Sequence, residues 1–158
     1  MFNGAMIRMD PGTLASIGAA TSIIASALSA GYAIACCAPA LASVTSEKPE
    51  LASRLIITIV LGEALAIYGL LISFMIISQL PLIATSDAGM RALMAGISMG
   101  GAAVASSIGI SYCGPALITA TVEKPESYST NILGLVLSEA LAIYGLLIAF
   151  MLITAVVH

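Results

Sequence analysis

Polar and turn-forming residues cluster at three places, TSEKPE (45–50), QLPLIATSD (79–87) and TVEKPES (121–127), and divide the chain into four long apolar runs. Each run predicts one helix, roughly 11–44, 49–79, 87–120 and 125–157. Asp10 is placed to cap the first, and Pro11 suits its first turn, where a backbone N–H would go unpaired anyway. Every run exceeds the ~20 residues needed to cross ~30 Å of hydrocarbon. All five Lys and Arg residues (Arg8, Lys48, Arg54, Arg91, Lys124) fall in or near the ends of the runs. The pattern predicts an all-α membrane protein with four transmembrane helices.

The four helices are two copies of one hairpin. Shifted by 76 residues, Pro39-Ala-Leu falls on Pro115-Ala-Leu and EKPE (47–50) on EKPE (123–126). Over 60–77 against 136–153, 15 of 18 positions are identical, the differences being Gly62/Ser138, Ser73/Ala149 and Ile76/Leu152. We therefore divide the chain into a first hairpin, 1–82, and a second, 83–158. A two-helix unit returns the chain to the side where it began, so both copies share one orientation. Inverted-repeat transporters need opposite orientations; parallel hairpins suit a ring or an array.

The odd helices differ in texture from the even ones. The first carries Gly18, Ser22, Ser26 and Ala30 at intervals of four. The third carries Gly96 and Gly100 in one such row, and Gly101, Ala105 and Gly109 in another. Small residues at this spacing let backbones approach closely in lipid. The second and fourth helices are rich in Leu, Ile, Phe and Met, which predicts an inner layer of odd helices and an outer layer of even ones. A compact four-helix bundle uses the same small residues.

Composition changes the picture only by exclusion. With 60% hydrophobic and 8% charged residues and a mean hydropathy of +1.12, the chain is far from a soluble domain. A net charge of −3 without any basic patch excludes nucleic-acid binding. Arg8 and Asp10 precede a first apolar run much longer than a signal peptide's core, so no cleavable leader is expected. Cys36, Cys37 and Cys113 show no metal or disulfide spacing and are expected to act as small hydrophobes.

The candidate chemistry lies in two carboxyls. Glu63 is 14 residues after Pro49 and 18 before Pro81, or ~21 Å and ~27 Å along a helix, near mid-membrane. Glu139 holds the same place in its own hairpin. Intramembrane acids are costly and point to function. Desolvation disfavours the charged form, so a neutral carboxyl is the expected resting state. Arg54, nine residues before Glu63, is ~13 Å away along the helix. Any positive partner must come from another subunit. The residue types thus specify a site that takes up a cation, carries it neutralised through lipid and releases it near an external positive charge. Tyr68 and Tyr144 stand five residues after each glutamate, ~140° away around the helix. They are expected to reach a glutamate on a neighbouring helix and not their own.

Two fused hairpins, each with a mid-membrane Glu followed by ALAIYGLL, resemble the membrane rotor proteolipid (the K or c subunit) of the vacuolar/archaeal-type ATPases. The resemblance spans essentially the whole chain. It implies a ring of identical subunits turning against a stator subunit that supplies an arginine. It also implies central-stalk subunits contacting the 45–50 and 121–127 turns, in the cell membrane of an archaeon or bacterium. Glu63 and Glu139 would be the ion sites of a complex that makes or hydrolyses ATP. This chain would contribute no catalytic site, since no phosphate-binding G-x-x-x-x-G-K-[ST] occurs in it. It would hold no cofactor and carry H+ as its cargo.

Two departures from the family pattern bear on the ion. Many vacuolar-type relatives lack the first-hairpin glutamate, which is present here. Sodium-binding relatives place Thr, Ser or Gln just after the site, where this chain has Ala64, Leu65, Ala140 and Leu141. Protons are therefore favoured. Oxygen for the alternative, Na+, would come from backbone carbonyls, Tyr68, Tyr144 and serines near site depth. The supporting candidates are Tyr68, Tyr144, Leu61, Leu137 and Ser138, with Ser26, Ser29, Ser106 and Ser107. A small proton-coupled multidrug transporter with a membrane-embedded Glu is the alternative function, and a purely structural four-span protein a third. The three-to-two split of Lys48, Arg54 and Lys124 against Arg8 and Arg91 agrees with cytoplasmic EKPE turns without establishing that side.

Overall fold

The computed structural model describes residues 9–156; Arg8, His158 and the expected end of the fourth helix at 157 lie outside them. Helix α1 spans Pro11–Glu47, a short α2 Ala52–Leu55, α3 Ile57–Gln79, α4 Ser86–Glu123 and α5 Tyr128–Thr154. Single 3-10 turns at Pro49–Leu51, Leu80–Leu82 and Pro125–Ser127 join them. The described residues form four helical spans long and apolar enough to cross a membrane, and no strand.

The expected ends shift for identifiable reasons. Asp10 caps α1 as anticipated, its carboxylate accepting from Thr13 N–H at 3.2 Å. At the other end α1 continues to Glu47 because Lys48 N–H still finds Val44 O at 2.8 Å. Helix α4 likewise runs to Glu123, with Lys124 N–H on Ala120 O, and it starts under a Thr85 cap that accepts from Ala88 N–H. The second span stays helical through Ile56, as expected, but its hydrogen bonding tightens there. There Ile59 N–H turns to Ile56 O, and the Thr58 hydroxyl donates to Leu55 O at 2.9 Å. Such side-chain competition for a helix carbonyl bends helices. The second copy has Gly134 at the position of Thr58, and α5 runs unbroken.

The most extensive packing is between α1 and α4; α3 lies on α1 and α5 on α4, with a smaller α3–α5 contact. The first and third spans (α1 and α4) are thus central and the second and fourth (α3 and α5) peripheral, as their textures predict. Glycine makes the central seam possible. A Cβ on Gly18 would sit 2.7 Å from the Leu93 Cα, and one on Gly96 would meet the Gly18 backbone. Of the two small-residue rows in α4, only Gly96 and Gly100 enter this seam. Gly101 has open space around it and Ala105 is exposed, while Gly109 turns toward α5 and meets Ser138.

Polar side chains tie the layers together. Ser22 Oγ donates to Gly69 O at 3.0 Å, and Ser73 Oγ to Ala19 O at 2.9 Å, joining α1 to α3. At the EKPE end Lys48 Nζ reaches Val122 O at 3.1 Å, and Tyr128 OH donates to Arg54 O while the Arg54 guanidinium lies 5.1 Å from the Tyr128 ring centre. At the opposite end Arg91 donates to Ala155 O at 2.6 Å. Each of these bonds at the two ends joins one hairpin to the other or the start of α4 to the segment just after α5.

Candidate ion site

The smaller contact, between α3 and α5, brings one of the two candidate carboxyls beside a tyrosine. Glu139, halfway along α5, is half-buried where α3 approaches, and Tyr68 OH donates to its Oε1 at 2.9 Å. Tyrosine therefore serves the glutamate of the neighbouring hairpin, as the ~140° separation on its own helix requires. Tyr68 sits more than one helical turn beyond its own Glu63, and that offset lets it meet Glu139 across the interface.

The other pair is not brought together within the chain. Glu63 is exposed on the outer side of α3, and Tyr144 is exposed on α5. The two carboxyls, nearly identical in local sequence, thus occupy different surroundings.

The remaining candidates separate by location. Ser26, Ser29, Ser106 and Ser107 are buried in α1 and α4, and Ser26 and Ser106 have no hydrogen-bond partner. Among the described residues, none of the four bonds to a glutamate. Ser138 turns back to Gly134 O at 2.7 Å and toward Cys113 Sγ. Leu61 packs partly against the core, whereas its counterpart Leu137 is exposed. Cys37 is buried and Cys36 and Cys113 half-buried, all three free. No cluster of metal-ligating side chains occurs among the described residues.

The residue-level reading missed a compensation beside the site. Ser138 replaces Gly62 in the second copy, and the facing position changes in the opposite sense, from Ala33 to Gly109. In the first hairpin a Cβ on Gly62 would meet Ala33 Cβ at 3.3 Å; in the second, Gly109 makes the room that Ser138 fills. Aligning the whole repeat, and not only its best-matching segment, would have found it. The interhelical bonds of Ser22 and Ser73 were also missed: Ser22 sits in a small-residue row and looks like a space-saver, and Ser73 is a lone serine among large apolar residues.

Fold and site together define a class: an integral, multi-pass membrane protein of two parallel helical hairpins, each with a carboxyl at mid-span. The family of ATP synthase C subunits matches residues 17–76 and again residues 93–152, and the chain belongs to that family. The two matches are offset by the same 76 residues as the repeat.

The chain is 33% identical to the 16 kDa proteolipid (c) subunit of the V-type proton ATPase of Nephrops norvegicus, covering 87% of this chain and 88% of that one. It is 31% identical to the Homo sapiens protein of the same description, over 89% and 90%. To the corresponding V-type proton ATPase protein of Candida tropicalis it is 29% identical, over 87% and 86%. These relatives are eukaryotic and lend no support to the expected archaeal or bacterial membrane.

Proposed function

We propose that this chain is the ion-carrying rotor subunit of a V-type ATPase or ATP synthase. Copies form a ring in the membrane and carry protons on Glu63 and Glu139 as the ring turns. The observation that carries the proposal is the Tyr68–Glu139 hydrogen bond at mid-span, at the junction of two duplicated hairpins. The relatives are described as subunits of a proton ATPase, which supports the same reading.

The chemistry follows from the solvent. A charge at the centre of a span costs about 2.5–3.5 kcal/mol on insertion scales, roughly a hundredfold bias toward crossing lipid uncharged. A protonated Glu139 held by Tyr68 satisfies that condition. Opposite an arginine of the stator, the carboxylate gains a charge partner and the proton leaves. Moving on into lipid requires a new proton. Rotation in one sense thus transfers protons between two half-channels, and the exposed Glu47, Glu50, Glu123 and Glu126 of the turns offer a grip for central-stalk subunits.

The cargo is H+ on this reading because Tyr68 OH is the side-chain oxygen that reaches Glu139, while Ala140, Leu141, Ala64 and Leu65 offer none. A dehydrated Na+ needs several oxygens at once. A multidrug exporter, which the carboxyls alone would permit, gains nothing from the family match.

A lipid-soluble carbodiimide, which requires a protonated carboxyl, tests the assignment. Mass mapping is expected to find the adduct on Glu63 and Glu139, with labelling slowing as pH rises and unaffected by sodium. Adducts confined to Glu47, Glu50, Glu123 and Glu126 would refute the site, and protection by sodium at fixed pH would refute the proton.

A further inference from the structure

A recess of about 230 Å3 opens between α4 and α5 near the EKPE end, lined by Cys113, Ala116, Leu117, Ala120 and Asn131. The first hairpin has Cys37, Ala40, Leu41, Val44 and Leu55 at the matching positions, so Ala120 stands for Val44 and Asn131 for Leu55. There the space is closed, with Cys37 and Leu55 fully buried. Beside the cysteine the copies differ again. A Cβ on Gly114 would meet both Cys37 Sγ and Thr58 Cβ, whereas in the second copy Gly134 takes the place of Thr58, next to Cys113 Sγ. The second hairpin has thus lost apolar bulk and gained a carboxamide in one place. A carboxamide has two donor hydrogens and an acceptor oxygen. Among the described residues Asn131 uses one N–H, on Ser127 Oγ at 3.1 Å, and Ser127 Oγ donates in turn to Ala120 O at 3.3 Å. At the inner end Cys113 Sγ lies 4.0 Å from the hydroxyl of Ser138. Cavities of this size are wet when polar groups line them and dry when they are wholly apolar.

We infer that water fills this recess and reaches from the EKPE end of the second hairpin to Ser138, the residue before Glu139. Asn131 and Ser138 are seven residues apart, ~10 Å along α5. The first hairpin has no such route, because Val44 and Leu55 close it on the way to Glu63. The inference rests on the ring reading above only for what lies over the recess. In a ring, α1 of a neighbour would cover it as α4 covers Cys37. That helix brings Ala38, Ala42 and Thr45 where α4 has Gly114, Ile118 and Thr121. Ala38 adds one methyl, but Ala42 is far smaller than the fully buried Ile118. The covered junction therefore keeps its space and holds an asparagine among apolar neighbours. A carboxamide buried without partners is costly, and water supplies the missing ones. The second hairpin thus carries its own wet approach to one ion site, and the two sites differ in their access from the EKPE face.

Cys113 is a built-in probe of that water, since the thiolate is the form that reacts. Assembled rings in lipid nanodiscs are treated with a charged, membrane-impermeant methanethiosulfonate, and the modification of Cys113 and Cys37 is followed by mass mapping. Cys113 should react and Cys37 should not. Asn131→Leu combined with Ala120→Val restores the residues of the first hairpin and should bring Cys113 down to the rate of Cys37. Equal rates at the two cysteines in the wild type, or a Cys113 rate unchanged in the double variant, would overturn the inference and leave the ring standing. Modification of Cys113 by a lipid-soluble maleimide but not by the charged reagent would show a lipid-filled recess and overturn it as well. Should the double variant not assemble, Ala120→Val alone narrows the recess and makes the same comparison. Should the wild-type chain form no ring, the rotor reading falls, and the same rates in the single chain, where the recess is already present, still decide the inference.

Discussion

Gly109 and Ser138 offer a quantitative test of the packing beside Glu139. A Cβ added at Gly109 would lie 2.6 Å from Ser138 Cβ and closer still to its Oγ. The hydroxyl can rotate away, but the Cβ is fixed to the backbone of α5. Relief to an ordinary carbon contact of ~3.5–4.0 Å needs a separation of α4 and α5 by about 1 Å. Overpacking of this kind costs about 1–3 kcal/mol. Against it stands the gain of about 0.8–1.0 kcal/mol for Gly→Ala in a helix, so the single change shows only the difference. A double-mutant cycle removes that ambiguity, because the helix terms appear in both legs and cancel. Gly109→Ala combined with Ser138→Gly recreates the Ala33–Gly62 pair that the first hairpin accommodates. The expected coupling is favourable by about 1–3 kcal/mol. The assay is unfolding of the chain in micelles titrated with a denaturing detergent, followed by circular dichroism, for the wild type, both single variants and the double. Additive effects, with the double as unstable as the sum of the singles, would show that the two positions do not compensate for one another.

Three further outcomes are expected. Tyr68→Phe removes the 2.9 Å bond to Glu139; a neutral hydrogen bond is worth about 0.5–1.5 kcal/mol, so carbodiimide labelling of Glu139 should accelerate several-fold with Glu63 unchanged, and equal acceleration at both sites would refute a specific role. Glu63→Gln and Glu139→Gln should each abolish coupled rotation, because an uncharged site that cannot exchange its ion stalls at the stator; a Glu63→Gln complex working at the normal rate would show that only the second hairpin carries ions, and a ring of n chains would then have n sites and not 2n. Gly96→Ala should destabilise the chain, since the new Cβ meets the Gly18 backbone, whereas Gly101→Ala, with open space around it, should be neutral or mildly stabilising; similar effects on the same detergent-denaturation assay would refute the close α1–α4 approach.

Much of this protein follows from the order of its residues. Four apolar runs longer than a bilayer is thick can only be spanning helices, and a 76-residue self-match can only be a duplicated hairpin in one orientation. The rarity of acids at mid-span singled out Glu63 and Glu139 without any structure, because hydrocarbon penalises charge wherever the helices pack. The helical angle between Glu139 and Tyr144 likewise excluded a bond within one helix. Other features depended on which faces meet, and periodicity is silent on that. The tightening at Ile56 accompanies the Thr58 hydroxyl's bond to Leu55 O, a local competition that periodicity does not reveal. The rows 96–100 and 101–109 look equivalent as small-residue spacing, yet only the first enters the α1–α4 seam. Two glutamates with nearly identical neighbours along the chain differ in cover and in hydrogen bonding, because a neighbouring helix contributes both. Local sequence can specify a carboxyl and its place along the helix; the hydrogen-bond partner of Glu139 comes from another helix, which only the packing decides.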